Sequence, residues 1–323
     1  MITVHRFDNG RTVQWGAPLG DAGPAVWIDL LSPTREEETH VERATGVEVP
    51  TLDEMAEIES SSRIFEQDGA LFMTALVLAN SEADNVVISP VTFVLAGERL
   101  ITVRYHDPKA FQQFSERSAR EGADCANATR ALMLLLESIV DRLADILERV
   151  ARDIEGLSGR IFGLHDVAKA KGRGFEAVLV DLGRKGNLAS SIRDSLATLE
   201  RVCGFLALKL PAHDRDKGLR ERLKTLIRDI RSLSDHTSFL SQKITFLLDA
   251  TLGLINIEQN NIIKIFSIAA VVFLPPTLVA SIYGMNFEFM PELHWAFGYP
   301  MAIGAMVVSA VLPIVYFKRM GWL

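Results

Sequence analysis

Two long apolar runs lie close together near the C-terminal end of the chain, and they limit what the rest of it can fold into. The first, residues 262–283, reads IIKIFSIAAVVFLPPTLVASIY, and the second, residues 298–317, reads GYPMAIGAMVVSAVLPIVYF. At about 1.5 Å per residue, each run makes a helix of roughly 30 Å, the thickness of the hydrocarbon core of a bilayer. The one charge in these runs, Lys264, stands at the start of the first, where it can reach the interface. We therefore expect two transmembrane helices rather than two buried helices of a soluble protein.

The charges around the two runs predict their orientation. Lys264 begins the first run, and Lys318 and Arg319 follow the second. The loop that connects the runs has no Lys or Arg and carries Glu288 and Glu292. Because cytoplasmic flanks carry the excess of Lys and Arg, both termini should lie in the cytoplasm and the short acidic loop outside. The first residues contain no basic stretch followed by an apolar run, so we expect no signal peptide.

The composition argues against several other classes of protein. The net charge of −7 makes nucleic acid an unfavourable partner, because phosphate binding requires a basic surface. Cys125 and Cys203 form no CxxC pair, which argues against a thiolate zinc site and against a disulfide framework. The sequence contains no P-loop, GxGxxG motif or nucleophile elbow, and its histidines show no HExxH spacing. We therefore expect neither an enzyme nor an ATP-driven pump, and no cofactor.

The N-terminal part alternates between strand-like and helical sequence. VWIDL at residues 26–30 predicts a short apolar strand, and Ser32-Pro33-Thr34 before a group of acidic residues predicts a helix start. Four more strand-like segments follow, at residues 63–67, 71–78, 86–95 and 100–104. Residues 1–106 should therefore form an α/β domain, and residues 107–211 a helical region.

A long helical seam precedes the first apolar run. Its residues are separated by alternating steps of four and three: Leu219, Leu223, Leu226, Ile230, Leu233, Thr237, Leu240, Ile244, Leu247, Thr251 and Leu254. A 3.5-residue repeat of this length is typical of a coiled coil or a helix bundle. We expect a stalk helix over residues 212–261 that continues into the first transmembrane helix. Self-assembly of several copies around an axis is the expected way to bury the seam.

A second row of residues follows one face of the first apolar run. Most of its members are small or carry an oxygen: Asn260, Ile263, Ser267, Ala270, Leu274, Thr277, Ser281 and Gly284. Small residues permit close helix packing in lipid, whereas polar oxygens with an apolar constriction are features of a pore. The residues alone leave both interpretations open, and also the role of the carbonyls of Val271 and Val272, which Pro275-Pro276 deprives of their helical partners. A membrane-anchored scaffold, the alternative from another class, has no need of these polar residues.

The loop after the first run carries a specific motif. It reads YGMNFEFMPEL, with Trp295 and Gly298-Tyr299-Pro300 after it and Tyr316-Phe317-Lys318-Arg319 near the end of the chain. This sequence closely resembles the CorA family of magnesium transporters, whose hallmark is the triplet Gly284-Met285-Asn286. IEQN at residues 257–260 and FLPPTLVASIYGMN resemble the enterobacterial-type CorA proteins. The strong resemblance covers residues 252–323, and that of the soluble part rests on WIDL and the strand–helix pattern.

The resemblance implies a homopentameric funnel in the bacterial inner membrane, with the first transmembrane helix around a central pore and the second outside it. Gly284, Met285 and Asn286 would form the external selectivity filter. The implied pore-lining residues are Asn260, Ile263, Phe266, Ser267, Ala270, Leu274, Thr277 and Ser281. Because Mg²⁺ loses its water shell reluctantly, a ring of Asn286 amide oxygens suits a hydrated ion. Glu288 and Glu292 would raise the local concentration of cations through their field.

The resemblance also implies which ions are carried. Magnesium would be transported, together with cobalt and nickel, and intracellular magnesium would close the pathway. The related ZntB branch, associated with zinc, shares Gly-Met-Asn but not the Met-Pro-Glu-Leu continuation, so zinc transport is the alternative. Candidate regulatory metal ligands are Glu66, Asp68, Asp229 and Asp235.

The expected fold is an α+β cytoplasmic domain followed by a long stalk helix and two C-terminal transmembrane helices. Its expected divisions are the α/β domain 1–106, the helical region 107–211, the stalk 212–261, the transmembrane helices 262–283 and 298–317, the external loop 284–297 and the basic cytoplasmic tail 318–323.

Overall fold

The computed structural model describes residues 1–8, 11–15, 25–57, 59–80, 86–120, 127–162, 173–213, 217–286 and 290–322. The chain divides into two compact units, Met1–Leu248 and Asp249–Leu323. The first unit contains a seven-stranded sheet and several long helices, and the second contains the apolar helical segments. The expected α+β domain, long helix and two C-terminal apolar helices are confirmed.

The sheet of the first unit has the strand order β2-β1-β3-β7-β6-β5-β4. Its strands are β1 (Ile2–Asp8), β2 (Arg11–Trp15), β3 (Ala25–Leu31), β4 (Ile64–Gln67), β5 (Ala70–Ala79), β6 (Val87–Ala96) and β7 (Arg99–Arg104). All neighbours are antiparallel except β3 and β7, which run parallel. The five strands that the sequence predicted are present, and β1 and β2 extend the sheet beyond them.

Local sequence explains how the elements begin and end. Three helices lie between β3 and β4: α1 (Arg35–Thr45), α2 (Leu52–Ala56) and α3 (Ser60–Arg63). Thr34 caps α1 through a reciprocal pair of hydrogen bonds with Glu37, the helix start that the sequence predicted. Gly46 ends α1 at φ 73°, a left-handed conformation that glycine adopts without steric cost.

A buried polar network joins the two parallel strands. Asp29 of β3 lies opposite Thr102 of β7, and the Thr102 hydroxyl donates to Asp29 Oδ1 at 2.6 Å. Arg104 donates from Nη2 to Asp29 Oδ2 at 2.8 Å, and both side chains are buried. His5 of β1 stacks on Trp27 with ring centroids 4.1 Å apart. Burial lowers the pKa of His5 to about 4, although the charge of Asp29 opposes the change.

The long helices of the first unit bury the predicted seam within the chain itself. They are α4 (Lys109–Arg120), α5 (Ala128–Phe162), α6 (Arg173–His213) and α7 (Lys217–Tyr283). The seam residues from Leu219 to Leu247 are buried except at Leu233. Ion pairs of α7 with α5 and α6 flank the seam, including Arg222–Glu137 at 2.7 Å and Arg231–Glu200 at 2.7 Å. The expectation that self-assembly is needed to bury this seam is therefore wrong, because α5 and α6 of the same chain cover it.

The second unit contains the rest of α7, a 3₁₀ helix (Pro291–His294) and α8 (Gly298–Arg319). Two helices among the described residues, Gly218–Tyr283 and Gly298–Arg319, are long and apolar enough to cross a membrane. Their most apolar stretches have almost no buried residues, unlike the core helices of a soluble protein. Length, apolarity and exposure together agree with the two predicted transmembrane helices.

Candidate functional site

The predicted pore-lining row lies on the exposed face of α7 in the second unit. Asn260, Ile263, Phe266, Ser267, Ala270, Leu274, Thr277 and Ser281 are all exposed in the single chain. Most of the half-buried positions fall on the opposite face: Lys264, Ile268, Ala269, Val272, Pro275, Pro276, Val279 and Tyr283. At about 100° per residue, the two sets are centred roughly half a turn apart. The half-buried face includes Lys264, which contacts the Trp322 ring at the end of the chain. Lys264 itself stands at the edge of the row, about 40° around the helix from Asn260.

The double proline removes two backbone hydrogen bonds from α7. Pro275 and Pro276 stand inside α7, which continues through them to Tyr283. Neither proline has an N–H, so the carbonyls of Val271 and Val272 lose their helical donors. Val272 lies on the half-buried face, about 140° around the helix from Thr277. Its carbonyl is therefore on the far side of the helix from the row.

Thr277 lies on the exposed face, and its hydroxyl proton is already donated to a backbone carbonyl of the same helix. Its hydroxyl contacts the carbonyl oxygens of Leu274 at 2.8 Å and Phe273 at 3.0 Å. Since a hydroxyl has one proton to donate and two acceptor lone pairs, Oγ1 is left as an acceptor toward whatever faces this side. An oxygen that only accepts suits a cation or the protons of its water shell.

The Gly-Met-Asn triplet follows the end of α7. The Gly284 N–H donates to Ala280 O at 2.9 Å, and the Met285 N–H donates to Ile282 O at 3.3 Å. Side chains at Met285 and Asn286 are exposed in the single chain. A Cβ at Gly284 would lie 3.1 Å from Ala280 O, so the backbone turns tightly here. The triplet thus presents the Asn286 amide just beyond the last turn of the apolar helix.

Backbone contacts fix the position of the second half of the loop, after Met290. Glu292 is half-buried in the 3₁₀ helix, whereas Glu288 lies outside the described residues. The Gly298 N–H donates to Trp295 O at 3.0 Å. A Cβ at Gly298 would lie only 2.2 Å from Glu292 O, so no other residue fits there without moving the loop. This contact fixes where the 3₁₀ helix lies against the start of α8.

The four candidate regulatory acids do not gather into one site in the single chain. Glu66 pairs with Lys209 at 2.5 Å, and Asp68 occupies the exposed turn between β4 and β5 at φ 51°. Asp229 and Asp235 are exposed on α7, about 120° apart around the helix. Among the described residues, no group of three or more His, Cys, Asp or Glu side chains is arranged to hold a metal.

Two features of the first unit were not expected from the sequence. A cleft of about 630 Å³ between α5 and α7 is lined by the acidic residues Glu137, Asp141, Glu221 and Asp229 and by the basic residues Arg117 and Arg222. Burial and the negative charges of Glu137, Asp145 and Asp229 raise the pKa of Asp141, against the opposing charge of Arg117.

The second feature is a pair of exposed phenylalanines on α7. Phe239 and Phe246 are separated by seven residues, and the same step leads on to Gly253 and Asn260. The seven-residue spacing of these four positions is the sequence signal that could have indicated this exposed side of α7.

Comparison with known proteins assigns the family. The family model described as CorA-like Mg²⁺ transporter protein matches residues 23–319. The chain belongs to the CorA family. Magnesium transport protein CorA of Haemophilus influenzae (strain Rd) is 38% identical over 326 residues, and that of Escherichia coli K12 is 39% identical over 329 residues. Both alignments cover 100% of this chain and 100% of the relative.

A solved CorA structure has the same fold. The complete CorA magnesium transporter from Methanocaldococcus jannaschii superposes with a TM-score of 0.78 at 21% identity. The alignment covers 100% of this chain and 99% of that one. The family resemblance read from the Gly284-Met285-Asn286 motif is confirmed by the family model and by the full-length relatives, whose alignments include the soluble part where the sequence resemblance was looser.

Proposed function

We propose that this chain transports Mg²⁺ across the bacterial inner membrane, as a homopentamer whose pore is lined by the α7 segment of the second unit. The observation that carries the proposal is the exposed row from Asn260 to Ser281, which is polar or small at most positions although it lies in an apolar helix. A lipid-facing surface does not favour amide and hydroxyl groups, whereas a water-filled path does. The full-length relatives, both named magnesium transport proteins, support the same ion.

The row supplies the parts of a pore in order along the helix. Asn260 offers an amide at the Lys264 end, and Thr277 offers an acceptor oxygen near the other end. Between them Leu274, which is 67% exposed, would form an apolar ring when copies surround an axis. Such a ring blocks ions by excluding water when it is narrow and lets hydrated ions pass when it widens.

Selection would take place at the Gly-Met-Asn mouth. Mg²⁺ gives up its water reluctantly, so a rapid pathway should hold the hydrated ion. The Asn286 amide oxygen accepts hydrogen bonds from bound water without the strong electrostatic trap of a carboxylate ring. Glu292, and Glu288 outside the described residues, would concentrate cations near the mouth, an effect that salt screens. Cobalt and nickel, which also carry two charges and a water shell, would pass by the same route.

Intracellular Mg²⁺ would close the pathway by binding between soluble units of neighbouring copies. Such a site needs acidic groups from two chains, which fits the finding that a single chain brings no metal-binding group of acids together among its described residues. Asp68, Asp229 and Asp235 are exposed and therefore open to a neighbour, whereas Glu66 is already paired with Lys209.

The proposed orientation follows the positive-inside rule. Lys264, Lys318 and Arg319 would lie on the cytoplasmic side, together with both termini and the first unit. The loop that carries Asn286 and Glu292 would lie outside.

Flux into liposomes tests the proposed function. The purified protein would be reconstituted with Mg²⁺-sensitive and, separately, Zn²⁺-sensitive dyes inside, with and without a proton gradient. We expect Mg²⁺ entry that needs no proton gradient and slows as internal Mg²⁺ rises. Zn²⁺ entry that depends on the gradient, with no Mg²⁺ entry, would instead favour the zinc alternative.

A further inference from the structure

The last residues of the chain form a defined cap at the end of α8. The Trp322 N–H donates to Phe317 O at 2.9 Å, and the Gly321 N–H donates to Lys318 O at 3.2 Å. Gly321 adopts φ 71°, the left-handed conformation that ends many helices. These two hydrogen bonds and the left-handed glycine make a Schellman motif, which turns the chain back over the last turn of the helix.

The cap determines where the Trp322 ring lies. In a Schellman motif, the residue after the left-handed glycine contacts the residue five positions earlier. Here that pair is Trp322 and Phe317, whose rings stack with centroids 5.5 Å apart and planes 13° from parallel. Phe317 also meets Tyr316 edge-on at 5.8 Å. The tryptophan is therefore held by its own helix end rather than left on a free tail.

The ring held in this way meets a charge on the other apolar helix. Lys264 Nζ of α7 lies 5.8 Å from the centroid of the Trp322 ring. A cation at this distance from an indole face is attracted by the ring quadrupole, and tryptophan is the strongest side chain for this contact. Lys264 is also the one charge within the first apolar run. The contact thus joins a unique charge of one helix to a capped aromatic ring of the other.

We infer that Trp322 is a positioning residue that fastens the end of α8 to the Lys264 end of α7, so that these ends move together when the pathway opens and closes. The inference rests on the proposed function, in which α7 lines the pore. Lys264 is four residues from Asn260 and three from Ser267, so it lies at the level where the row begins. A force on either helix at this level is therefore passed to the other through the contact between Lys264 and Trp322. A tryptophan that only anchors a helix end at the membrane–water interface would need no cation against its ring.

Two pairs of variants separate this role from simple packing. Trp322→Leu keeps an apolar contact with Phe317 but removes the aromatic face, and Trp322→Tyr is its matched control because it keeps a ring. Lys264→Met keeps the length of the side chain and removes the charge, and Lys264→Arg keeps a cation. The Trp322→Leu/Lys264→Met double variant completes a thermodynamic cycle.

The first measurement is the thermal unfolding midpoint of the full-length protein in detergent, which does not depend on transport. We expect each disruptive variant to lower the midpoint, the double variant to lower it no further than the larger single effect, and the two controls to restore it. Additive losses in the double variant would show that the two side chains do not act through one contact, and would overturn the inference.

The second measurement is Mg²⁺ flux in liposomes as internal Mg²⁺ is raised. We expect the internal concentration that halves the flux to change at least threefold, in the same direction in both single variants and in the double, with the external concentration for half-maximal flux unchanged. Unchanged internal dependence despite a non-additive cycle would mean that the contact only stabilises the fold, and would overturn the positioning role. Failure of the proposed function is a different result, seen as no Mg²⁺ flux in the wild type before any variant is compared.

Discussion

The two units of this chain place their apolar side chains in opposite ways. In Met1–Leu248, side chains such as Leu132, Phe93 and Ile28 are fully buried by the unit's own sheet and helices. In Asp249–Leu323, most large apolar side chains are exposed, and Ala302 is the one buried hydrophobic residue among those described. The first unit is therefore stabilised in water by its own core, whereas the second requires a surrounding that the chain does not supply.

The difference explains why the same helix has two kinds of surface. In the first unit α7 buries its seam against α5 and α6, with ion pairs such as Arg222–Glu137 at the edges. In the second unit the same helix exposes Leu274 and its neighbours, which lipid, a water-filled pore or another copy would cover. Burying apolar area contributes about 25 cal/mol per Å² only when that area leaves water, so in the proposed pentamer the second unit would gain stability from the membrane and from contacts between copies.

The same substitution should have the most different effects on stability in the two units. Leu132 of α5 is 0% exposed, and Leu312 of α8 is 64% exposed. Leu132→Ala should cost about 3 to 5 kcal/mol because it leaves a cavity in a packed core. Leu312→Ala should cost less than about 1 kcal/mol, because it removes few contacts within the chain. Thermal and denaturant unfolding of the full-length protein in detergent would measure both, and equal losses would show that the exposed face of α8 is as tightly packed as the core.

The buried His5 predicts a pH dependence that belongs to the first unit alone. The pKa of His5 is lowered from 6.5 to about 4 by burial. Below pH 6.5 the unfolded chain therefore takes up a proton that the folded chain does not, so stability falls as the pH decreases from 6.5 toward 4. The loss should reach about 3 kcal/mol at the acid end of this window.

Replacing His5 with Phe provides the control for the pH prediction. The phenyl ring can keep the stack on Trp27, and it has no proton to gain. The stability of His5→Phe should fall less steeply than that of the wild type between pH 6.5 and 4. Parallel curves for the two proteins would contradict the assignment to His5.

Two glycines of α8 differ in the space around them and give a matched test within the second unit. Gly298→Ala places a Cβ 2.2 Å from Glu292 O and should displace the loop at a cost of about 1 to 3 kcal/mol. Gly304→Ala, where a Cβ would meet nothing within 4 Å, should be neutral or slightly stabilising, because alanine favours a helix. We expect Mg²⁺ flux to fall in the first variant and not in the second. The same flux in both would show that the loop position has no part in transport.

The sequence predicted the parts of the fold whose signals are local. The two apolar runs, the Thr34 helix start and the five strands from VWIDL onward are all present, because length, capping and turn chemistry act within a few residues. β1 and β2 were missed because segments such as ITVHRFD mix apolar and charged residues. The partner of the α7 seam was also misassigned, since a 3.5-residue repeat shows that a face is buried but not by what.

The sequence predicted which residues of the candidate site share one face of α7, but not the contacts around them. The spacing from Asn260 to Ser281 placed the row on one face, and the structure finds that face exposed. The approach of Lys264 to Trp322 joins residues 58 positions apart, and only Gly321 next to Trp322 hinted at a cap. The acidic residues of the soluble part gave no usable pattern, because tertiary packing sets their neighbours: Glu66 meets Lys209 of α6, and Asp229 lines the cleft between α5 and α7.

The most direct measurement of the central claim is inhibition of Mg²⁺ influx by cobalt hexammine, in the wild type and in Asn286→Ala. Cobalt hexammine cannot lose its ammine ligands. The complex resembles a hydrated divalent ion in size and in its hydrogen-bond donors, so it should bind where a water shell is recognised. We expect block in the wild type, and in Asn286→Ala the residual flux, reduced at least tenfold, should resist the inhibitor while the assembly stays intact. Potent block that survives removal of the Asn286 side chain would contradict the account, because the filter would then lie elsewhere.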